Sequence, residues 1–330
     1  MNDLSGKNII LFCPRFFDYE KEIKSVLENL GANVIWFDDR PSNDFFSKAI
    51  IRVNKNFLSR KIDAYYEGII DEISRTKLQI DYILFVNPES INVKSIDLIK
   101  KTFSKARLIL YMWDSFRNRK KNIELLPFFD SKFTFDPKDV KDYGLEFRPL
   151  FFIDKYRAVE KKAKYDLLFI GTAHSDRYEF VKRILSDLNY KLIAKTYFFL
   201  SSKLLFFVKK LTDKDFSRVK YKDVSFKSLT HLDNADLMSQ SMSILDINHP
   251  QQIGLTMRTF ETLGAQRKLI TTNQDIKNYD FYNETNILVV DRKKPVIGED
   301  FFLKPFEPYS SEMLFKYSIQ GWISSLFNLK

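Results

Sequence analysis

At 330 residues the chain is too long for one average domain and suits two of about 150. Hydrophobic residues at 45% and charged residues at 29% exclude a disordered polymer, and a single cysteine excludes an internal disulfide framework and suits a reducing compartment. The net charge of +10 suits an anionic partner such as nucleic acid, an anionic membrane face or a nucleotide diphosphate, but the lysines are spread along the chain without a long basic block.

The N-terminal MNDLSGKNIILFCPRFF has an apolar core too short for a signal peptide, so a cytoplasmic protein is expected. Four apolar, β-rich runs follow: NIILFC (8–13), NVIWF (33–37), DYILFV (81–86) and RLILYMW (107–113). They predict strands buried on both faces, with Cys13 as a buried strand thiol. Helical patterns separate them at Tyr19–Leu30, within Asp44–Leu78 and at Val93–Ser104. Alternation of this kind predicts a parallel sheet with crossover helices. KFTFDPKDVKDYGLEFRPLF (132–151) predicts two short strand-like pieces around Gly144, and IDKYRAVEKKAKY (153–165) reads as a solvated linker.

The alternation then restarts. YDLLFIG (165–171) predicts a strand and Asp176–Leu188 a helix. SILDIN (243–248), KLITTN (268–273) and NILVV (286–290) predict further strands, and SEMLFKYSIQGWISSLF one final helix. Between them lies TYFFLSSKLLFFVKKLTDKDFSRVKYK (196–222). Read as a helix, it puts Tyr197, Leu200, Leu204, Phe207, Val208 and Leu211 on one face, with Phe199 and Phe206 away from that face beside Lys203, Lys209 and Lys210. That pattern suits peripheral contact with an anionic membrane, or docking in an interdomain groove. No apolar run approaches the roughly 20 residues of a membrane span. The DKD at 213–215 reads as solvated charge, and three histidines and one cysteine leave little for a zinc site, so no metal is expected.

The stretch HPQQIGLTMRTFETLGAQRKLITTN (249–273) concentrates the polar chemistry. A loop at the carboxyl end of a parallel strand faces the ligand crevice of such a sheet. Gln252, Gly254 and Leu255 lie in that loop. Gly254 lets backbone N–H groups approach a phosphate, and Thr256 can cap the helix that follows. Arg258 is one turn in, placed for a phosphate. Glu261 lies three residues on, where a carboxylate can accept from two ribose hydroxyls. The alternative is a surface Arg258–Glu261 pair beside an ordinary turn.

DINHPQQIGLTMRTFETLGAQRKLITTN resembles the donor-site segment of GT-B glycosyltransferases of bacterial lipopolysaccharide and capsular polysaccharide biosynthesis. The resemblance extends to YMWDSFRN (111–118), FDPKDVKDYGLEFRPLF (135–151), YDLLFIGTAHSDR (165–177) and YSIQGW (317–322). It implies an α/β GT-B fold: two Rossmann-like domains facing across a cleft, with the C-terminal helix returning to the N-terminal domain. On that pattern residues 1–152 form an acceptor domain, 153–164 a linker, 165–310 a nucleotide-sugar donor domain and 311–330 the returning helix. Glu261 matches the ribose-binding glutamate, and Gly254, Leu255 and Thr256 match the loop at the donor phosphates. The glutamate that retaining members carry eight residues earlier is Ile253 here, which leaves the stereochemical outcome open.

Further candidates follow from placement at strand ends and helix starts. Gly171 and Thr172 end a strand and Arg177 begins a helix, a placement suited to the donor diphosphate. His174 would donate to a phosphate or a sugar hydroxyl; the alternative is a loop capped by Asp176. Asp114, beside Trp113 at a strand's carboxyl end, is the candidate base for the acceptor hydroxyl. The alternative is that it caps the next segment or pairs with Arg117 or Arg119. His249 is a second catalytic candidate, or simply shapes its turn. Asp18 and Ser115 are candidates on the acceptor side, with Glu20 a further acid. Asp38–Asp39 follow a strand as a ribose-binding acid does, but G-x-G-x-x-G, Walker A, H-E-x-x-H and G-x-S-x-G motifs are absent.

The expected function is transfer of a sugar from a nucleotide-sugar donor to a lipid-linked or surface glycan acceptor. No cofactor is required in that reading, because fixed dipoles and basic residues stabilise the leaving diphosphate. The alternative is a non-catalytic GT-B-like module that binds nucleotide or glycan in an assembly complex. Nucleic acid is not an expected partner, since no reading motif is present.

Overall fold

The computed structural model describes residues 4–44, 54–159, 161–173, 176–187, 191–214, 216–250 and 252–329. The chain divides into two compact units, Met1–Pro149 with Ile319–Lys330, and Leu150–Ser318.

The first unit runs β1 (Asn8–Phe12), α1 (Tyr19–Asn29), β2 (Asn33–Phe37), α2 (Ser59–Arg75), β3 (Tyr82–Val86), α3 (Val93–Thr102), β4 (Arg107–Met112), β5 (Ser131–Thr134), α4 (Pro137–Tyr143) and β6 (Glu146–Phe147). All strands pair in parallel, in the order β2-β1-β3-β4-β5-β6. The apolar runs form strands because helices cover them: Ile10, Phe12, Ile83, Phe85, Leu108 and Leu110 pack under Tyr66, Ile70 and Ile96. Cys13 is buried just beyond β1, and burial pushes its thiol pKa well up.

One expectation here is corrected. A helix, α4, lies between the two short strands around Gly144. Asp136 caps it by accepting from the Lys138 N–H, Pro137 takes the first turn, and Gly144 ends it at φ 64°.

The second unit runs β7 (Tyr165–Thr172), α5 (Arg177–Asp187), β8 (Ala194–Phe199), α6 (Lys203–Thr212), β9 (Val224–Ser225), α7 (His231–Ser239), β10 (Ser241–Asp246), α8 (Met257–Gly264), β11 (Lys268–Thr271), β12 (Ile287–Val289), α9 (Glu299–Leu303) and α10 (Ser311–Tyr317). Its strands are also parallel, in the order β9-β8-β7-β10-β11-β12. The order reverses between β7 and β10, the topological switch point at which doubly wound sheets bind ligands.

Three further expectations are corrected. Residues 196–211 are not one helix: Tyr197 lies in β8, and Ser202 caps the separate α6 by accepting from the Leu205 N–H. Residues 153–165 are not solvated throughout, because Ile153 and Tyr156 are buried. The final helix is two: Ser318 is extended (φ −77°, ψ 164°) and separates α10 from α11 (Ile319–Phe327). Helix α11 belongs to the first unit, where Trp322 meets Tyr111 edge-on at 4.8 Å and Phe327 meets Tyr82 at 5.1 Å.

Candidate functional site

At the switch point of the second unit, the ends of β7 and β10 are tied by one side chain. Arg177, the first residue of α5, donates from Nε to the Ile247 carbonyl (3.1 Å) and from Nη1 to Thr172 Oγ1 (3.1 Å). Gly171 and Thr172 are the last residues of β7. A Cβ on Gly171 would stand 2.7 Å from the Phe169 ring. Burial lowers the Arg177 pKa, and the charge of Asp246 opposes that shift. A second guanidinium arrives from beyond β12. Arg292 grips Asp176 with two bonds of 2.6 and 2.7 Å and donates to the Asn248 carbonyl at 2.8 Å. The Arg292 bonds hold the Asp176 carboxyl below its ordinary pKa.

The loop after β10 is held from beneath. Asn248 donates to the Gln252 carbonyl (3.0 Å), Asn273 to the Ile253 carbonyl (2.9 Å), and Gln252 Nε2 to the Gly254 carbonyl (2.9 Å). Three successive carbonyls are thus turned inward. Among the described residues, the backbone N–H groups of Ile253, Gly254, Leu255 and Thr256 make no hydrogen bond. Thr256 caps α8 by accepting from the Thr259 N–H, and its hydroxyl donates to Asp246 at 2.7 Å. Thr259 also donates to Asp246, at 2.9 Å. Burial raises the Asp246 pKa, while these hydroxyls and the nearby Arg177 and Arg258 pull it down. The loop and helix start therefore rest on an anchored carboxylate, with a run of unpaired donors beside the helix's positive end.

Arg258 and Glu261 are paired at 2.8 Å, as the sequence allowed, but the pair is not on the surface. Glu261 is only 5% exposed. Arg258 Nη1 also points at Met238 Sδ (3.5 Å). Tyr156 is hydrogen-bonded to His231 at 2.9 Å, and burial followed by the Glu261 charge pushes its hydroxyl pKa up.

In the first unit, acids and arginines alternate at the carboxyl ends of β2, β3 and β4. Asp114 accepts from Asn118 (2.9 Å) and from Arg119 Nε (3.1 Å). Arg119 also reaches Glu89 at 2.6 Å, Glu89 lies 3.6 Å from Arg40, and Arg40 pairs with Asp38 at 3.3 Å. Pairing with Arg119 was one of the alternatives for Asp114. The Ser115 carbonyl accepts from the Asn118 and Arg119 N–H groups. Asp39 is wholly buried, accepting from Glu89 N–H (2.6 Å), Ser90 N–H (2.7 Å) and Tyr66 (2.8 Å). That makes it a brace for the loop after β3. The loop after β1 is strained: Phe17 (φ 50°) and Asp18 (φ 63°) are both left-handed. Asp18 is exposed and pairs with Lys21 at 2.7 Å, while Glu20 is buried and accepts from the Phe16 N–H. Phe16 and Phe17 are exposed, and Phe16 lies 5.7 Å from Trp113.

His249 is exposed beside the loop after β10. His174 lies outside the described residues, as does Asp215 of the DKD triplet, whose Asp213 pairs with Lys209 at 3.6 Å. Among the described residues, no group of three or more His, Cys, Asp or Glu side chains gathers as a metal site. Sequence reasoning missed Arg292, Asn248 and Asp246. Their signal is placement: each stands at or just beyond the end of an apolar strand.

No protein-family model matches the sequence. No curated protein sequence matches it either. Solved structures do. The Anabaena protein Alr3699/HepE, in complex with UDP and glucose, matches with a TM-score of 0.59 at 8% identity, over 98% of this chain and 99% of that one. OtsA, in its apo form, matches with a TM-score of 0.59 at 11% identity, over 98% and 99%. The lipopolysaccharide outer core galactosyltransferase WaaB, also apo, matches with a TM-score of 0.52 at 12% identity, over 97% and 99%. At such identities the likeness is one of fold, and the fold is GT-B.

Proposed function

We propose that this GT-B chain is a glycosyltransferase that uses a nucleotide-sugar donor. The observation that carries the reading is the loop after β10, whose carbonyls are pinned inward and whose four consecutive N–H groups, from Ile253 to Thr256, have no partner among the described residues. Unpaired donors at a helix start are an anion cradle. Arg177 and Arg292 add fixed positive charge at the same switch point. The donor diphosphate lies there, and the HepE neighbour, which holds UDP and glucose, supports that class of ligand.

In the transfer, the acceptor hydroxyl oxygen bonds to the anomeric carbon as the bond from that carbon to the diphosphate oxygen breaks. Asp114 takes the hydroxyl proton, with Asn118 and Arg119 fixing its carboxylate. The charge that builds on the leaving diphosphate meets the loop amides and Arg177, which are already in position and need not reorganise. Glu261, oriented by Arg258, receives the ribose hydroxyls. His249 and Gln252 border the sugar. Phe16, Phe17, Asp18, Trp113 and Ser115 border the acceptor, a lipid-linked or surface glycan. The WaaB neighbour, named as a lipopolysaccharide galactosyltransferase, supports that acceptor class.

The test is calorimetry with UDP, GDP, dTDP and CMP on the wild type and on Arg177→Met. One nucleotide should bind, and the variant should bind it at least about tenfold more weakly, the loss of roughly 1.4 kcal/mol or more expected for a charge-assisted bond. Failure of every nucleotide to bind the wild type would overturn the assignment.

A further inference from the structure

Helix α6 turns its apolar side outward. Leu204, Phe207, Val208 and Leu211 are spaced i, i+3, i+4 and i+7, and they are 74%, 57%, 45% and 88% exposed. That spacing makes one stripe along the helix. The opposite side holds the helix to its unit: Phe206 is buried and packs on Phe216 (5.4 Å), Tyr221 (5.2 Å) and Phe226 (6.4 Å). The half-exposed Tyr221 lies 6.2 Å from Phe207 and widens the stripe. Exposed lysines flank it in the chain: Lys203 at the helix start, Lys214 beyond its end, and Lys220 and Lys222 on either side of Tyr221. No described helix is long and apolar enough to cross a membrane.

We propose that the outer face of α6 docks on an anionic lipid bilayer, with Leu204, Phe207, Val208 and Leu211 entering the boundary between headgroups and acyl chains. A helix of this length lies in that interface rather than spanning it. The lysine stems cover apolar surface while their ammonium groups reach anionic headgroups. Charge selects this occupant over a second copy of the chain. A two-fold contact is self-complementary, so it would set the lysine rim against itself. A bilayer of anionic lipid presents the opposite sign. The inference rests on α6 and the residues beside it and does not depend on the donor reading.

The test is co-sedimentation with vesicles of phosphatidylglycerol and phosphatidylethanolamine, against vesicles of phosphatidylcholine. Three proteins are compared: the wild type, Phe207→Ser/Leu211→Ser, and Lys203→Glu/Lys214→Glu. Melting temperature and gel-filtration volume are followed for each. The wild type should bind the anionic vesicles, more weakly as salt rises, and hardly bind the neutral ones. Each double variant should bind at least about tenfold less with its melting temperature unchanged, since no altered side chain is buried. The charge variant keeps the apolar stripe, so it separates lipid attraction from any local misfolding. Equal binding to neutral vesicles, undiminished binding by both variants, or no wild-type binding at all would overturn the proposal. So would a dimer that Phe207→Ser/Leu211→Ser converts to monomer, which would assign the stripe to a second copy.

Discussion

Gly264 ends α8, and its missing side chain is what lets that helix close on Phe152. A Cβ at this position would stand 2.5 Å from Phe152 Cδ2 and 2.6 Å from Cγ. Ordinary carbon contacts lie at about 3.5–4.0 Å, so the ring or the helix must move by roughly 1 Å. Rotating the ring about its own axis gives no relief, because Cγ is the ring's root. Phe152 is wholly buried, and its backbone N–H donates to the Tyr317 carbonyl at 3.0 Å. Overpacking of this kind costs about 1–3 kcal/mol. Alanine's helical advantage over glycine returns at most about 1 kcal/mol, and less at a last turn. Gly264→Ala should therefore destabilise the second unit by about 0.5–2 kcal/mol. The tryptophans permit a selective assay. Trp36, Trp113 and Trp322 all belong to the first unit, so their fluorescence reports that unit, while far-ultraviolet circular dichroism reports both. In urea the dichroism transition should move to lower concentration while the fluorescence transition stays. Adding Phe152→Leu should recover part of the loss. A Gly264→Ala protein as stable as the wild type, or a double variant with no recovery, would refute the reasoning.

Three other outcomes are expected. Asp114→Asn should lower turnover by a factor of about 10²–10⁴, the range for losing a general base, with donor affinity by calorimetry within about twofold of the wild type. Arg292→Met should weaken nucleoside diphosphate binding. It should also remove the part of the wild type's acid sensitivity that comes from Asp176, whose depressed pKa gives stability present above about pH 4 and lost as pH falls through the folded value. The side chain of Asp176 is 43% exposed, so urea titrations from pH 3 to 7 should show no more than about 1 kcal/mol from this source. Asp139 runs the other way: burial raises its pKa from 3.8 to about 6, so its stabilising contribution is present below about pH 4 and lost as pH rises through about 6. Asp139→Asn keeps an oxygen for the Phe116 N–H, bonded at 2.9 Å in the wild type. It should stabilise the protein at pH 7 by up to about 3 kcal/mol and flatten the pH 4–6 slope of stability in urea titrations.

The strands were largely legible because two-sided burial writes itself as a plain apolar run. NIILFC became β1 and RLILYMW became β4 almost residue for residue, whereas NVIWF, expected to be buried on both faces, became β2 at the end of the sheet with only Val34 buried. Where burial is one-sided the reading failed. TYFFLSSKLLFFV carries a helical period across a real break, and Ser202, the cap that marks the break, looked like an interruption. Tyr156 was lost in a charged segment because its partner, His231, is far along the chain and nothing local announces it. In the candidate site, Thr256 as cap and the Arg258–Glu261 pair followed from helical spacing alone. The depth of that pair did not, since burial depends on what the rest of the fold brings over it. Arg292 was out of reach for a related reason: its partners, Asp176 and the Asn248 carbonyl, come from two other strand ends and meet it only in the folded sheet.

The way the chain is divided has a consequence for biosynthesis. A ribosome releases the N-terminal part of a protein first, and domains usually fold in that order. Here the first unit cannot be completed in that order, because Trp322 and Phe327, which cover Tyr111 and Tyr82, are among its last residues to be made. The second unit is continuous in sequence and has all its parts once Ser318 has emerged. The nascent chain therefore carries a first sheet with part of its apolar cover missing until Trp322 and Phe327 have emerged, and ribosome-bound chains stalled before Ile319 should engage hydrophobic-binding chaperones that the released protein no longer needs.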